Sequence, residues 1–382
     1  MRIFRPSPRS VSLTVMMLAL VVMAGAGGDL RGGFGPGGKE QSPWSPNPTG
    51  GSPADYAGTI ACAECHNEIC KTQRTTDMAN AAARPAESPV LQQHPTLSVE
   101  DGPYTYRLET AGKQAVFSVS DGHEKIVEPV VLVVGTGVIH QSYLIQHKDA
   151  YYQVPVGYYS RSGRLRFVGK SSPPAASLES ALGERLTPER IQSCRGCHGT
   201  LNGVDAPLES DRLVFGVTCE ACHGAGAKHV AAMRAGHSQD MQIFHPARLN
   251  PNEELEFCGR CHPYQGMKDG SVRGIATVAS QAYRLTQSRC WNPDDKRSRC
   301  TFCHNPHAPL QHAAAGYDAQ CLSCHSSQTA AASSSAAPGK PCPVGKQNCA
   351  SCHMPQVEIP GSNASYTDHR IRVVRTGEAF PE

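Results

Sequence analysis

The 382-residue sequence predicts a mainly α-helical chain with much irregular structure and a small antiparallel β insertion. Three observations carry that expectation. The chain holds 17 Cys and 17 His, most of them in short repeated clusters. Hydrophobic residues make up only 39%, a figure that already includes the Cys, so aliphatic packing is thin for this length. Between Tyr104 and Val154, by contrast, aromatic and β-branched residues gather in runs separated by turn residues. The length allows two to three domains at roughly 150 residues each. A formal charge of +3, from 36 basic and 33 acidic residues, is too even for a nucleic-acid binder, which needs a basic patch or stripe.

In chain order, residues 1–26 read as a signal peptide. Arg2, Arg5 and Arg9 form a basic region, Val11 to Met23 is apolar, and Ala24-Gly25-Ala26 offers small residues for cleavage. An uncleaved anchor is the competing reading, but about 15 apolar residues fall short of the roughly 20 a spanning helix needs. The mature chain is therefore expected to be periplasmic or otherwise exported, with no direct membrane span. Residues 27–55 are a Gly/Pro/Ser-rich linker that cannot bury enough apolar surface to fold. Residues 56–96 hold the first Cys cluster. Residues 97–175 are the expected β-rich insertion, with hairpin signals at Ala111-Gly112-Lys113 and Asp121-Gly122. Scaffolding is its default role. Residues 176–382 hold the remaining clusters.

Fourteen of the 17 Cys fall into Cys-x-x-Cys-His, repeated seven times: Cys62/Cys65/His66, Cys194/Cys197/His198, Cys219/Cys222/His223, Cys258/Cys261/His262, Cys300/Cys303/His304, Cys321/Cys324/His325 and Cys349/Cys352/His353. This is the attachment sequence for c-type haem: two thiols add to the porphyrin vinyl groups, and the adjacent His becomes the proximal iron ligand. Half a zinc site or a redox dithiol explains one Cys-x-x-Cys, but neither requires His after the second Cys seven times over. The expectation is seven covalent haems c. First cysteines are separated by 132, 25, 39, 42, 21 and 28 residues, so the six later motifs define a dense haem-packed domain. The haems supply much of the missing hydrophobic core. The predicted class is thus a haem-packed multihaem cytochrome c fold.

Ten His remain for the opposite face of seven irons. His307 follows His304 by three residues across Pro306, a stiff link aimed at a neighbouring haem. His229 follows a glycine-rich turn after His223, and His369 lies beyond the last motif beside Asp368, a candidate orienting carboxylate. These three and His140, after Gly135-Thr136-Gly137, are the distal candidates. His94, His147 and His245 stay open. His123, His237 and His312 read as solvated residues.

The same residues carry a family resemblance. Residues 219–229 resemble Cys-x-x-Cys-His-Gly-Pro-Gly-x-x-His, with Ala225 for the Pro. Residues 300–307 match Cys-x-x-Cys-His-x-Pro-His, and Cys349 to Pro355 with Asp368-His369 match a common C-terminal pattern. These are motifs of the multihaem c-type cytochromes related to hydroxylamine oxidoreductase and its tetrahaem electron acceptor, with cytochrome c nitrite reductase a more distant relative. The first motif departs from the group: Cys70, Gln73 and Thr76 stand where Tyr, Trp and Ser are usual, and Met78 stands at the distal His position. Met78 is either an iron ligand, giving a His/Met haem of higher potential, or a core methionine. The nitrite reductases' Cys-x-x-Cys-Lys does not occur here, and the cross-linking Tyr of the hydroxylamine oxidoreductases cannot be picked out.

Three Cys are left over, Cys70, Cys290 and Cys342. Cys290 and Cys342, each upstream of a motif, are candidates for a disulfide, although spacing does not fix connectivity. The charge also takes on another meaning. Residues 1–26 contain three arginines and no acids, so the mature polypeptide is neutral. Fourteen propionates would then make the oxidised holoprotein acidic, and Arg, 25 against 11 Lys, suits bidentate pairing with them. The functional expectation is an exported heptahaem electron carrier with mostly bis-His haems. Its partners would be redox proteins with basic surfaces, a membrane quinol-oxidising complex among the candidates. The alternative is an oxidoreductase acting on a small nitrogen or sulfur compound at one five-coordinate haem.

Overall fold

The computed structural model describes Asn47 and residues 52–168, 175–200, 206–237, 239, 241–262, 272–325, 342–361, 363–375 and 377–380. The expected signal peptide and most of the linker lie outside these residues. Among them, 34% are helical, 3-10 turns included, and 22% are in strands.

The expectation of a mainly α chain with a small β insertion is therefore wrong. Eight strands run in succession: β2 (Thr96–Asp101), β3 (Tyr104–Ala111), β4 (Gln114–Ser120), β5 (Lys125–Val134), β6 (His140–His147), β7 (Ala150–Gln153), β8 (Val156–Tyr159) and β9 (Arg164–Phe167). Two short flanking strands, β1 (Ala82–Ala83) and β10 (Glu184–Arg185), complete a curled ten-stranded antiparallel sheet, in the order β10-β7-β6-β5-β4-β3-β2 with β1 on β5 and β8-β9 on β6. Two two-stranded ladders, β11 (Gly199–Thr200) with β12 (Val214–Phe215) and β13 (Gln356–Glu358) with β14 (Ser365–Thr367), lie among the Cys motifs.

The reason for the error is physical. A Cys-x-x-Cys-His motif needs little more than one helical turn, so the motif-bearing helices are mostly short and cannot outweigh a continuous run of strands. They are α1 (Gly58–Gln73), α3 (Pro188–His198), α4 (Cys219–His223), α6 (Pro251–Gly259), α8 (Cys300–Cys303), α9 (Asp318–His325) and α10 (Cys349–His353). The other helices are α2 (Pro89–Gln93), α5 (Ala227–Arg234) and α7 (Gln281–Thr286). Even α1, the longest, breaks at His66, whose φ of −112° and ψ of 37° are not helical.

The sheet has a core on each side. On β3, Tyr104, Tyr106 and Leu108 point inward and alternate with exposed or half-buried residues. They join Phe117, Val119, Val130, Val133, Tyr143 and Ile145 in the main cluster. Full burial of Phe117 or Ile145 contributes about 1.5–3 kcal/mol each. A second cluster on the other face holds Ala82, Val131, Leu132, Leu144, Leu186, Leu208 and Leu213. The register between β5 and β6 shifts between Val130 and Leu132. One extra residue there lets neighbours Val131 and Leu132 both serve the second face before Val133 returns to the first.

Candidate functional site

The motif helices meet in pairs. The Cys62 thiol lies in hydrogen-bonding contact with that of Cys219, Cys258 with Cys300, and Cys321 with Cys349. Motifs two and four meet through their second cysteines: the Cys197 thiol donates to the Arg260 carbonyl at 3.6 Å and the Cys261 thiol to that of Gly196 at 3.8 Å. Segments far apart in sequence are thereby placed side by side, the first motif against the third above all.

The two cysteines of a motif, equivalent in the sequence, are not equivalent in the fold. The structure does not bring the second cysteines of motifs one, six and seven into a contact between motifs as it does Cys197 and Cys261. Cys65 and Cys352 are exposed and Cys324 is half-buried. Cys324 and Cys352 each lie beside the preceding serine of their own helix, 3.9 Å from the Ser323 hydroxyl and 4.0 Å from that of Ser351. First cysteines thus join motif one to three, four to five and six to seven, and second cysteines join motifs two and four.

The histidines show how an iron would be held. In His198, His223 and His353, Nδ1 lies 3.0, 3.0 and 2.8 Å from the carbonyls of Ala81, Phe244 and Arg372. A carbonyl only accepts, so Nδ1 carries the proton and Nε2 keeps its lone pair for a metal. The same arrangement occurs at His229, on Met241 O at 2.6 Å, and at His369, on Thr367 O at 3.0 Å. Burial, as the leading cause, pushes the His198, His223, His262, His304 and His307 rings below the ordinary imidazole pKa, and His369 down to about 4. Neutral imidazole is the ligating form.

Three pairs of these rings face one another. His66 and His229 have centroids 6.4 Å apart, His223 and His307 6.0 Å, and His304 and His369 6.2 Å. Two imidazole nitrogens about 2 Å from one metal on opposite sides place their ring centroids about 6 Å apart. Each pair thus has the spacing of two axial ligands, and each joins a motif His to a His named from sequence as a distal candidate. His245 also stands 6.3 Å from His223. Its Nδ1, however, accepts the Ala247 N–H, which leaves the proton on Nε2 and makes it the poorer ligand.

His198 lines an apolar cleft with Cys194, Ile191, Phe215 and the sheet residues Leu132 and Leu144. A thiol and an imidazole on an otherwise greasy wall suit a porphyrin edge, and buried Arg195 at the same cleft suits a propionate. His140, on β6, feels the His198 charge, and burial brings its pKa down to about 4. Its Nε2 lies 2.9 Å from the Ser142 hydroxyl. The residues present therefore fit haem c.

A family model described as cytochrome c554 and c-prime matches residues 169–224. The match supports a c-type cytochrome family. With it come haem c, its iron and a haem-based electron-transfer role. The matched stretch holds the second and third motifs, His198 and His223 included. Neither the curated proteins nor the solved structures gave a match. No helix among the described residues is long and apolar enough to cross a membrane.

Other sequence candidates are placed differently. Met78 is half-buried, and its carbonyl accepts the Val217 and Ala81 N–H groups at 2.8 and 3.2 Å; the ring facing His66 is His229. Asp368 does not orient His369, whose Nδ1 goes to Thr367 O; instead it takes both arms of Arg284 at 2.8 Å. Cys290 and Cys342 are separate free thiols. His147 binds Glu128 at 2.6 Å. His325 and His353 close α9 and α10. The carbonyls of Ala81, Met241 and Phe244 were missed, since backbone acceptors leave no residue-type signal.

Proposed function

We propose that this chain is an exported heptahaem c-type cytochrome that transfers single electrons through closely spaced, mostly bis-His haems. The observation that carries the reading is the set of three facing histidine pairs at 6.0–6.4 Å, each including one His of a Cys-x-x-Cys-His motif. When bound, each haem supplies a one-electron Fe(III)/Fe(II) couple. The polypeptide's part is to fix the rings: carbonyls hold Nδ1 of His223, His229 and His369, burial keeps those of His223 and His369 neutral, and motif contacts set which haems are neighbours. Those contacts couple motif one with three, four with five, six with seven, and two with four. The likeness to the hydroxylamine oxidoreductase group rests on the motifs at 219–229, 300–307 and 349–369.

Mass spectrometry of the exported protein, with a pyridine haemochrome assay, tests the count: seven haems per chain are expected, and fewer refute it. One observation favours a second reading. Among the described residues, the distal candidate near His198 is His140, and its Nε2 is engaged by Ser142, which leaves room for an open iron where a small nitrogen or sulfur compound would bind. A high-spin ferric signal that shifts with cyanide or nitrite would support that oxidoreductase reading, and its absence supports the pure carrier.

A further inference from the structure

We infer that Glu220, Glu254 and Asp318 are positioning residues that lock one haem-attachment helix onto another, so that six of the seven motifs are organised as carboxylate-clamped pairs. The inference rests on the haem reading above and deepens it.

Glu220 lies inside the third motif and is 4% exposed. Its Oε1 accepts the N–H of Ala57 at 2.7 Å and of Gly226 at 2.8 Å, and its Oε2 that of Gly58 at 3.0 Å. Ala57 and Gly58 begin α1, which carries His66, and Gly226 begins α5, which carries His229. One carboxylate therefore satisfies the open N-termini of the two helices whose imidazoles face each other. Neither helix has a side-chain cap of its own at its N-cap residue.

The same device recurs twice. Glu254, four residues before Cys258 and 2% exposed, accepts the Thr301 N–H at 2.8 Å and its hydroxyl at 3.1 Å, and pairs with the Arg299 guanidinium. Thr301 is the second residue of α8, in the fifth motif, whose N-cap Arg299 makes no side-chain cap bond. Asp318, three residues before Cys321, accepts the N–H of Asn348 at 2.7 Å and of Cys349 at 2.8 Å, at the start of α10. The caps come from 163, 47 and 31 residues away, whereas an ordinary N-cap is local. In each pair the two first cysteines are also the thiols in contact.

The contact between motifs two and four lacks a carboxylate and uses thiol-to-carbonyl bonds instead. The carboxylates thus mark three couples, one with three, four with five, and six with seven. In each, the anion sits against N–H groups at the mouth of a helix, where the helix dipole favours it.

The test uses Glu220→Gln, Glu254→Gln and Asp318→Asn in the exported holoprotein. Amide hydrogen exchange, haem count and circular dichroism in the Soret band are compared with the parent. Exchange is expected to quicken about tenfold at the clamped amides of the altered pair alone. Those are Ala57, Gly58 and Gly226 for Glu220, Thr301 for Glu254, and Asn348 and Cys349 for Asp318. The haem count is expected to stay at the parent's value while the Soret exciton signal changes in every variant. Unchanged exchange at these amides, or an unchanged Soret signal in all three variants, overturns the inference. So does one variant that loosens all three pairs equally. Asp318 is not buried, so its variant reports even if a buried one fails to fold. A parent with too few haems refutes the cofactor reading, while the exchange data still decide the clamps.

Discussion

Asp368→Asn is expected to be among the most damaging single changes in the chain. The Asp368 and Arg284 side chains are both fully buried, and the guanidinium meets the carboxylate through Nε to Oδ1 and a terminal nitrogen to Oδ2, each at 2.8 Å. Arg372 adds a third charged bond at 2.7 Å, and the Arg370 N–H a fourth at 3.0 Å. Replacing the carboxylate by an amide keeps its shape but removes the charge that Asp368 sets against the buried Arg284, which costs about 3–5 kcal/mol. The exposed Lys71–Glu68 pair, 53% and 82% accessible, is the natural control, and breaking it costs under about 1 kcal/mol. Urea unfolding of the holoprotein, followed by far-ultraviolet circular dichroism, compares Asp368→Asn with Glu68→Gln. The reasoning is refuted if the two variants lose similar stability. Burial pushes the Asp368 carboxyl up, but the bonds and charges of Arg284, Arg370 and Arg372 outweigh it and hold it below the ordinary carboxylate range. A group with a depressed folded pKa stabilises at neutral pH and loses that contribution as pH falls through the lowered value. The acid unfolding limb should therefore shift upward in pH for Asp368→Asn, because that contribution to neutral-pH stability is gone.

Other expectations are equally specific. His229→Ala, His307→Ala and His369→Ala should each convert one low-spin ferric signal to high-spin in electron paramagnetic resonance, with imidazole restoring it, while His245→Ala should leave the spectrum unchanged because its Nδ1 accepts the Ala247 N–H. Gly216→Ala should lower the unfolding midpoint, at a cost of at least about 2 kcal/mol: φ is +77°, and a Cβ would come within 1.8 Å of the Ala79 carbonyl oxygen. Leu132→Ala and Leu144→Ala, at the His198 cleft, should each cost about 2–5 kcal/mol in urea unfolding.

The chemistry was more legible in the sequence than the architecture. Seven Cys-x-x-Cys-His repeats are a covalent signature whose residues must be contiguous, so they could be read directly. What the repeats did not disclose is that first thiols meet across three motif pairs while motifs two and four meet through Cys197 and Cys261, since that depends on how the helices are turned toward one another. His229, His307 and His369 were visible because each sits a short, constrained step from a motif or beside a marked dipeptide, and each faces a motif His in the fold. The turns at Gly112 and Gly122 were legible as well, because both adopt positive φ, at 62° and 90°. The size of the sheet was not. β7 to β9 are four residues each and carry no long alternation, and β1 and β10 are two-residue strands that exist only because β5 and β7 offer them partners. The role of Asp368 also misled. Adjacency to His369 suggested a local orienting bond, but its partner Arg284 is 84 residues away and only folding reveals it.

The sheet and the motif region also meet at the Ala81 carbonyl. The Ala81 carbonyl accepts the Gly135 N–H at 2.7 Å and faces Nδ1 of His198 at 3.0 Å. Ala82, the next residue, pairs with Val134 as β1 joins β5. The orientation of the His198 ring is thus fixed by the backbone that leads into an edge strand of the sheet, and the cleft beside it is walled by Leu132 and Leu144 from β5 and β6. A scaffold that merely separated the first motif from the rest would have no need to reach the His198 imidazole or to line its cleft. The second apolar face, opened by the bulge in β5, gives the sheet surface for that wall. The β segment therefore belongs to the surroundings of the second motif as much as the short helices do, and on the proposed function changes in β1, β5 or β6 should be felt at a haem on that motif before any other.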